Sequence, residues 1–236
     1  MFTDHPALHV ERDGAVVAAT VLILRDSESG PEVLLLQRNP EARNMGGAWM
    51  FPGGKVDAED PGENEVARAA SAAVREIREE ASITVEPSTL VGFSHWLTPV
   101  VEKRRFATWF YLAPMPTEIS VIVDSSEMVQ ARWVRPEVAL QEHRAGELRL
   151  PPPTVVSLVD LSRHGTVSGA LEAARHRDAP FYFPKILPGE GKQMVMLYPG
   201  DAGYDSSDID AEGVRHRSTW QDGVITYENT DAGMAL

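Results

Sequence analysis

Three glutamates, Glu76, Glu79 and Glu80, crowd the run Arg75-Glu76-Ile77-Arg78-Glu79-Glu80. On a helix, positions i, i+3 and i+4 share one face, so the three carboxylates point the same way. They fall near the end of the helix that the surrounding pattern predicts. Unpaired carbonyls already make that end negative. Glu76 and Glu80 also repel each other across one turn, by about 0.2–0.5 kcal/mol. A hard divalent cation reverses the balance, because clustered carboxylate oxygens are what Mg²⁺ or Mn²⁺ bind. Arg75 and Arg78 can brace the cluster and offset part of its charge. Upstream, Gly53-Gly54 lets the backbone come close to a metal or a phosphate. The bland alternative is a solvated acidic helix with ordinary ion pairs. The Gly-Gly turn before the helix and a strand start at Ile83-Thr84-Val85 after it weigh against that alternative.

The elements that must position these groups read as an α/β core. Apolar, β-branched runs at 15–24 and 32–37 predict two strands, separated by a break at 26–30. Residues 41–47 read as a loop and 49–51 as a short strand. Pro61-Gly62 marks a turn, and Asn64 caps a helix to about Ala81. Val66, Ala70, Ala73, Ile77 and Ala81 form its expected apolar stripe, with Glu76 and Glu80 beside it. Strands follow at 90–97, 106–112 and 130–134. Three helices are expected at 136–143, 154–163 and 168–176, the first opened by Pro136. After Asp178 the chain turns to aromatic strand-and-turn material. Residues 192–197 and the Asp222-Gly223 pair suggest hairpins. The expected division is a domain over 1–178 and a β-hairpin-rich extension over 179–236 packed on it.

With 236 residues, 43% hydrophobic and 24% charged, the chain has the composition of an ordinary globular protein. No apolar run reaches membrane-spanning length, so no membrane partner is expected. The net charge of −13 argues against nucleic acid, which needs a basic footprint. With no cysteine, the chain has no disulfides and no thiol nucleophile, a pattern compatible with the cytoplasm. The seven histidines show no metal-ligand spacing. Assembly is open, a homodimer included.

The stretch from Gly54 to Ile83 resembles the signature box of the Nudix hydrolases. That box reads Gly, five residues, Glu, seven residues, Arg-Glu, apolar, any, Glu-Glu, any, Gly, apolar. Here Gly54 opens it, 75–80 is its core and Ile83 closes it. Asp60 stands where the first Glu is expected, fourteen residues separate it from Arg75, and Ser82 replaces the late Gly. The lengthened box is similar to the branch that cleaves coenzyme A and acyl-coenzyme A. Residues 33–38, Trp96-Leu97-Thr98-Pro99, 104–113 and 146–154 extend the likeness, which covers roughly 14–200.

The resemblance implies a Nudix-type α/β/α sandwich with a mixed sheet. It also implies that Glu76, Glu79, Glu80 and the Gly54 carbonyl hold Mg²⁺ or Mn²⁺, with Arg75 orienting Glu76 and Glu79. Asp60 is a further metal candidate and Asp57 a weaker one. Glu127, in a loop before the 130–134 strand, is the expected general base, with Glu102 and Glu118 as rivals. Arg38, Arg104 and Arg105 are candidates for phosphate. Trp96, Phe106 and Trp109 are candidates for stacking on adenine. Three readings follow. The first is a diphosphatase acting on coenzyme A or acyl-coenzyme A. The second is the same chemistry on ADP-ribose or another nucleoside diphosphate derivative. The third is a binding or regulatory module without turnover.

Overall fold

The computed structural model describes residues 2, 5–123 and 125–236. In chain order it contains β1 (Val16–Ser27), β2 (Gly30–Arg38), β3 (Trp49–Met50), β4 (Gly53–Lys55), α1 (Glu65–Ala81), β5 (Val91–Leu97), β6 (Phe106–Pro114) and β7 (Met128–Val134). Helices α2 (Pro136–Arg144), α3 (Pro152–Leu161) and α4 (Val167–Arg175) come next. Then follow β8 (Phe181–Tyr182), β9 (Lys185–Pro188), β10 (Met194–Leu197), β11 (His216–Gln221), β12 (Val224–Asn229) and β13 (Met234–Ala235).

The first sheet runs β3-β2-β1-β6-β5-β8, with β4 added to β1 and β7 to β2. It is mixed: β1 lies parallel to β6 and antiparallel to β2 and β4. Strand alternation buries both faces. Val21, Ile23, Leu34 and Leu36 face α1, where they meet Ala69, Ala72, Ala73 and Ile77. Leu22, Leu24, Val33 and Leu35 face the other way, toward Leu140, Val155, Leu158 and Leu171 of the later helices. These are the three layers of an α/β/α sandwich.

Residues 179–236 contribute β8 to the first sheet and build a second, antiparallel sheet, β13-β12-β11-β10-β9. Its Met196, Tyr198, Ile225 and Tyr227 belong to the same buried cluster as Leu22 and Leu35. The buried His143 of α2 joins the parts by hydrogen bonds. Ile225 N–H donates to Nε2 at 2.9 Å, which leaves Nδ1 as the donor to Leu148 O at 2.8 Å. Asp222 and Gly223 turn β11 into β12 with positive φ at both positions, as a type I′ hairpin requires.

The helix that carries the glutamates forms where expected. Asn64 Oδ1 accepts from Ala67 N–H at 2.9 Å, and Ser82 closes the helix at φ 56°. Glycine usually fills such a left-handed C-cap. Three local expectations are corrected. The buried face of α1 is Ala69, Ala72, Ala73, Ile77, Glu80 and Ala81, while Val66 and Ala70 are only half-buried. Small alanines let the helix approach β1 closely, and that decides its rotation. The predicted break at 26–30 shrinks to a tight turn, since β1 continues to Ser27. Residues 83–85 form no strand. The Ser82 cap and the turn at Pro87–Thr89 redirect the chain, and Ile83 and Val85 are buried as side chains alone.

One buried group makes stability depend on pH. His95 of β5 is fully buried, 4.3 Å ring to ring from Trp109 and 5.6 Å from Phe181. Neither ring nitrogen has a hydrogen-bond partner among the described residues. Burial, reinforced by Arg12 and His5, lowers its pKa to about 2. The unfolded chain then binds a proton near pH 6.5 that the folded chain refuses. Stability is therefore flat with respect to this group above pH 6.5 and falls as pH drops below it. The slope approaches about 1.4 kcal/mol per pH unit for this one proton. The difference in urea midpoint between wild type and His95→Phe should show the fall between pH 7.5 and 5, because taking the difference removes the opposite trend from Glu80, whose raised pKa favours the folded state as pH drops. The variant should keep the contributions of His5, His164 and His216, which burial also lowers, and the opposing one of Glu80. A difference that does not change with pH would disprove the assignment.

Candidate active site

The positions of α1 and β4 follow from register. Ala19 pairs with Gly54 and Thr20 with Gly53, so the Gly-Gly turn lies flat against β1. A Cβ at Gly54 would stand 2.2 Å from Glu76 Oε1. The absence of a side chain there is what lets the Glu76 carboxylate rest against the backbone. Glu80 is 6% exposed, and its Oε2 accepts from Gly53 N–H at 2.9 Å.

These carboxylates are held at a cost. Burial pushes the Glu80 carboxyl up to about 8, despite the Gly53 N–H, with Glu76 and Glu127 adding to the rise. Burial also raises Glu76, and Arg75 opposes it. The two raised carboxylates lie one helical turn apart, and Arg75 is ion-paired with Glu76. Among the described residues, no three His, Cys, Asp or Glu side chains are gathered to hold a metal ion. Arg75 engages two of the three glutamates. Its guanidinium donates to Glu76 Oε1 at 2.8 Å, Glu79 Oε2 at 3.2 Å and the Lys55 carbonyl at 2.9 Å. Glu76 and Glu80 beside Gly54 still fit Mg²⁺ or a similar ion, which commonly takes one or two carboxylates and fills its shell with water and substrate oxygens.

A polar cleft of about 550 Å³ opens beside Glu76, which lines it with Gly53 and Gly54; Glu80, bonded to Gly53 N–H, does not itself line it. Arg38, Lys55 and Arg104 line it too, as do Asp57, Phe106 and Glu127. Arg38 Nε is buried without a hydrogen-bond partner among the described residues. Its Nη2 lies 4.0 Å from Glu127 Oε2. Glu127 itself is 66% exposed, at the start of β7. A cavity of about 560 Å³ at the N-terminal end of α1, beside Phe2 and Tyr111, holds none of the residues 75–80.

Other expected residues go elsewhere. Asp60 has only 4% of its side chain exposed and does not line the cleft. It forks onto Arg75 at 3.0 and 3.1 Å, and that hydrogen bond, against the effect of burial, lowers its pKa. In this structure it is a partner of Arg75. Glu79, 52% exposed, reaches Arg75 but not the cleft. Arg105 turns inward, donating to Thr98 O, Arg12 O and Asp13 Oδ2, so it is not available to a phosphate. Its neighbour Arg104 faces the cleft, over the Phe106 ring at 5.2 Å. Trp109 is core, bonded through Nε1 to Glu65 at 2.8 Å. Trp96 stacks on Tyr182 at 4.1 Å and borders a different, apolar pocket, where Glu102 also lies. Glu118 is exposed and lines neither cavity. Lys55 and Asn44 were not anticipated as cleft residues. The signal for Lys55 was its place directly after Gly53-Gly54, and Asn44 had none.

Comparison with known proteins agrees with this geometry. The sequence profile of the NUDIX domain matches residues 15–152. The Caenorhabditis elegans protein named nudix hydrolase 7 is 30% identical over 166 residues, covering 56% of this chain and 56% of that protein. Acyl-coenzyme A diphosphatase NUDT19 of Xenopus laevis is 30% identical over 83 residues, covering 34% of this chain and 22% of that one. The chain therefore spans about half or less of the length of these relatives. The crystal structure of a NUDIX hydrolase from Alicyclobacillus acidocaldarius superposes with a TM-score of 0.61 at 21% identity, over 67% of this chain and 96% of that one. That likeness extends the shared fold to most of the solved chain. With the domain match over more than half of its length and the Arg75–Glu80 helix set against the Gly53-Gly54 turn, this chain belongs to the Nudix family.

Proposed function

We propose that the protein hydrolyses the diphosphate linkage of coenzyme A or acyl-coenzyme A, with Mg²⁺ or Mn²⁺ held by Glu76, Glu80 and the Gly54 backbone. The observation that carries this reading is the pair of half-buried and buried carboxylates beside a cleft that also presents three cationic side chains. A divalent ion there would neutralise the diphosphate oxygens and make phosphorus more open to attack. Arg38, Lys55 and Arg104 bind the phosphate oxygens from the sides. Arg75 positions Glu76. Glu127 accepts the proton of the attacking water at the open side of the cleft. Cleavage gives adenosine 3′,5′-bisphosphate and 4′-phosphopantetheine or its acylated form. The partial similarity to an acyl-coenzyme A diphosphatase supports the choice of substrate.

The test is a panel of coenzyme A, acyl-coenzyme A, ADP-ribose and other nucleoside diphosphate derivatives, with product masses recorded. Coenzyme A species should be cleaved with Mg²⁺ or Mn²⁺ and not in excess chelator. Faster turnover of ADP-ribose than of every coenzyme A species would replace the substrate. Binding without cleavage would leave a regulatory module. Glu127→Gln should lower kcat about 100-fold with little change in metal dependence. An unchanged kcat and pH–rate profile would remove Glu127 from this role.

A further inference from the structure

The polar cleft does not end at the phosphates. Thr20, Met45, Met50, Gly53, Phe106 and Thr108 line it and also line a second pocket of about 440 Å³. The far walls of that pocket are apolar. The first sheet supplies Trp96 and Phe110, the start of α3 supplies Pro152, and the second sheet supplies Ile186 and Met196, with Pro184 just before β9. Among the described residues, Glu102 is its only ionisable lining residue. Beside Pro99 and Glu102, Val100 and Val101 are 63% and 69% exposed, an apolar pair next to the pocket.

We propose that this pocket takes the acyl chain of a diphosphate substrate, and that the second sheet, through Ile186 and Met196, determines how long a chain fits. The proposal rests on the coenzyme A reading of the adjoining cleft and adds a subsite to it. Continuity supports one molecule in both spaces: the pantetheine arm would leave the diphosphate along the six shared residues and carry the acyl group toward the far walls. Chemistry narrows it further. A nucleobase needs several hydrogen-bond partners on its edge, and the side chains lining this pocket are mostly apolar, with the Glu102 carboxylate, Trp96 and threonine hydroxyls as the exceptions. Thr98 Oγ1 already accepts from Phe106 N–H. One face of Trp96 is covered by Tyr182. A hydrocarbon chain needs only apolar area. Trp96 Nε1 is a buried donor with no partner among the described residues.

The experiment compares coenzyme A with its butyryl, octanoyl and palmitoyl thioesters in the wild type and in Ile186→Trp, with thermal melting to check the fold. Ile186 is only partly buried, so the larger ring can be accommodated. Each methylene taken into the pocket should improve kcat/KM up to roughly fourfold. The gain should therefore exceed tenfold between coenzyme A and the octanoyl thioester, mainly in KM. Ile186→Trp should cut that octanoyl-to-free ratio at least tenfold. Cleavage of coenzyme A with ratios that ignore chain length, or that Ile186→Trp leaves alone, would overturn the pocket assignment while the diphosphatase reading stands. If no coenzyme A species is cleaved, that reading fails and calorimetry with P²-alkyl esters of adenosine diphosphate decides the pocket. Affinity that rises with chain length and is blunted in Ile186→Trp upholds it, and chain-independent affinity overturns it.

Discussion

Glu80→Gln should lower kcat by two or more orders of magnitude at saturating metal, and it should raise the melting temperature of the metal-free protein. The first effect follows from losing one carboxylate of the pair that holds the cation. A loss of about 3 kcal/mol of transition-state stabilisation corresponds to roughly a hundredfold in rate. The second follows from burial. Glu80 is pushed up to about 8, above the 4.5 of a free glutamate. A raised folded-state value means the contribution to stability is whole below pH 4.5 and is lost as pH rises through 8. Glutamine keeps the acceptor for Gly53 N–H and carries no charge to bury. The stability gap between variant and wild type should therefore be widest near pH 8 and close below pH 4.5. Added Mg²⁺ should stabilise the wild type more than the variant, because only the wild type keeps the full ligand pair. Wild-type turnover in Glu80→Gln, or a variant less stable than wild type at pH 8, would refute the assignment.

Arg75→Ala should damage both fold and activity, and Asp60→Asn should partly repair the fold. One guanidinium touches Asp60, Glu76, Glu79 and the Lys55 carbonyl. Its own pKa rises through these bonds, Asp60 first. Truncation strands the Asp60 carboxylate, which has almost no exposure and would keep only the Asp57 N–H, at 2.8 Å. Breaking such a pair costs about 3 kcal/mol, toward the low end for buried pairs because the guanidinium is a quarter exposed. Asp60→Asn removes the stranded charge, so the double variant should recover about 1 kcal/mol or more of the Arg75→Ala loss. Activity should not recover, because Glu76 still lacks its brace. Strictly additive stability changes in the urea midpoints would show that the two residues are not coupled.

The glutamate helix was legible without any coordinates. A cap at Asn64, an apolar face at helical spacing and three carboxylates at i, i+3 and i+4 are local features, and local geometry alone converts them into a helix of known extent. The glycine turn was legible for the same reason, since only glycine permits the Glu76 carboxylate to lie on the backbone at position 54. Partners distant in sequence were not legible. Asp60 looked like a ligand, yet Arg75 claims it across fifteen residues. Arg104 and Arg105 looked equivalent, but alternation along the chain sends one into the cleft and the other to Asp13. Glu76, Glu79 and Glu80 looked alike, and packing made Glu80 buried, Glu76 half-buried and Glu79 solvent-exposed. The apolar pocket exists only because β9 and β10 fold back over the sheet, and no spacing in the chain announces that contact. Periodicity sets which side chains share an element's face. What lies opposite that face is a long-range choice, made by whichever arrangement buries the most apolar surface while leaving each buried charge with a partner.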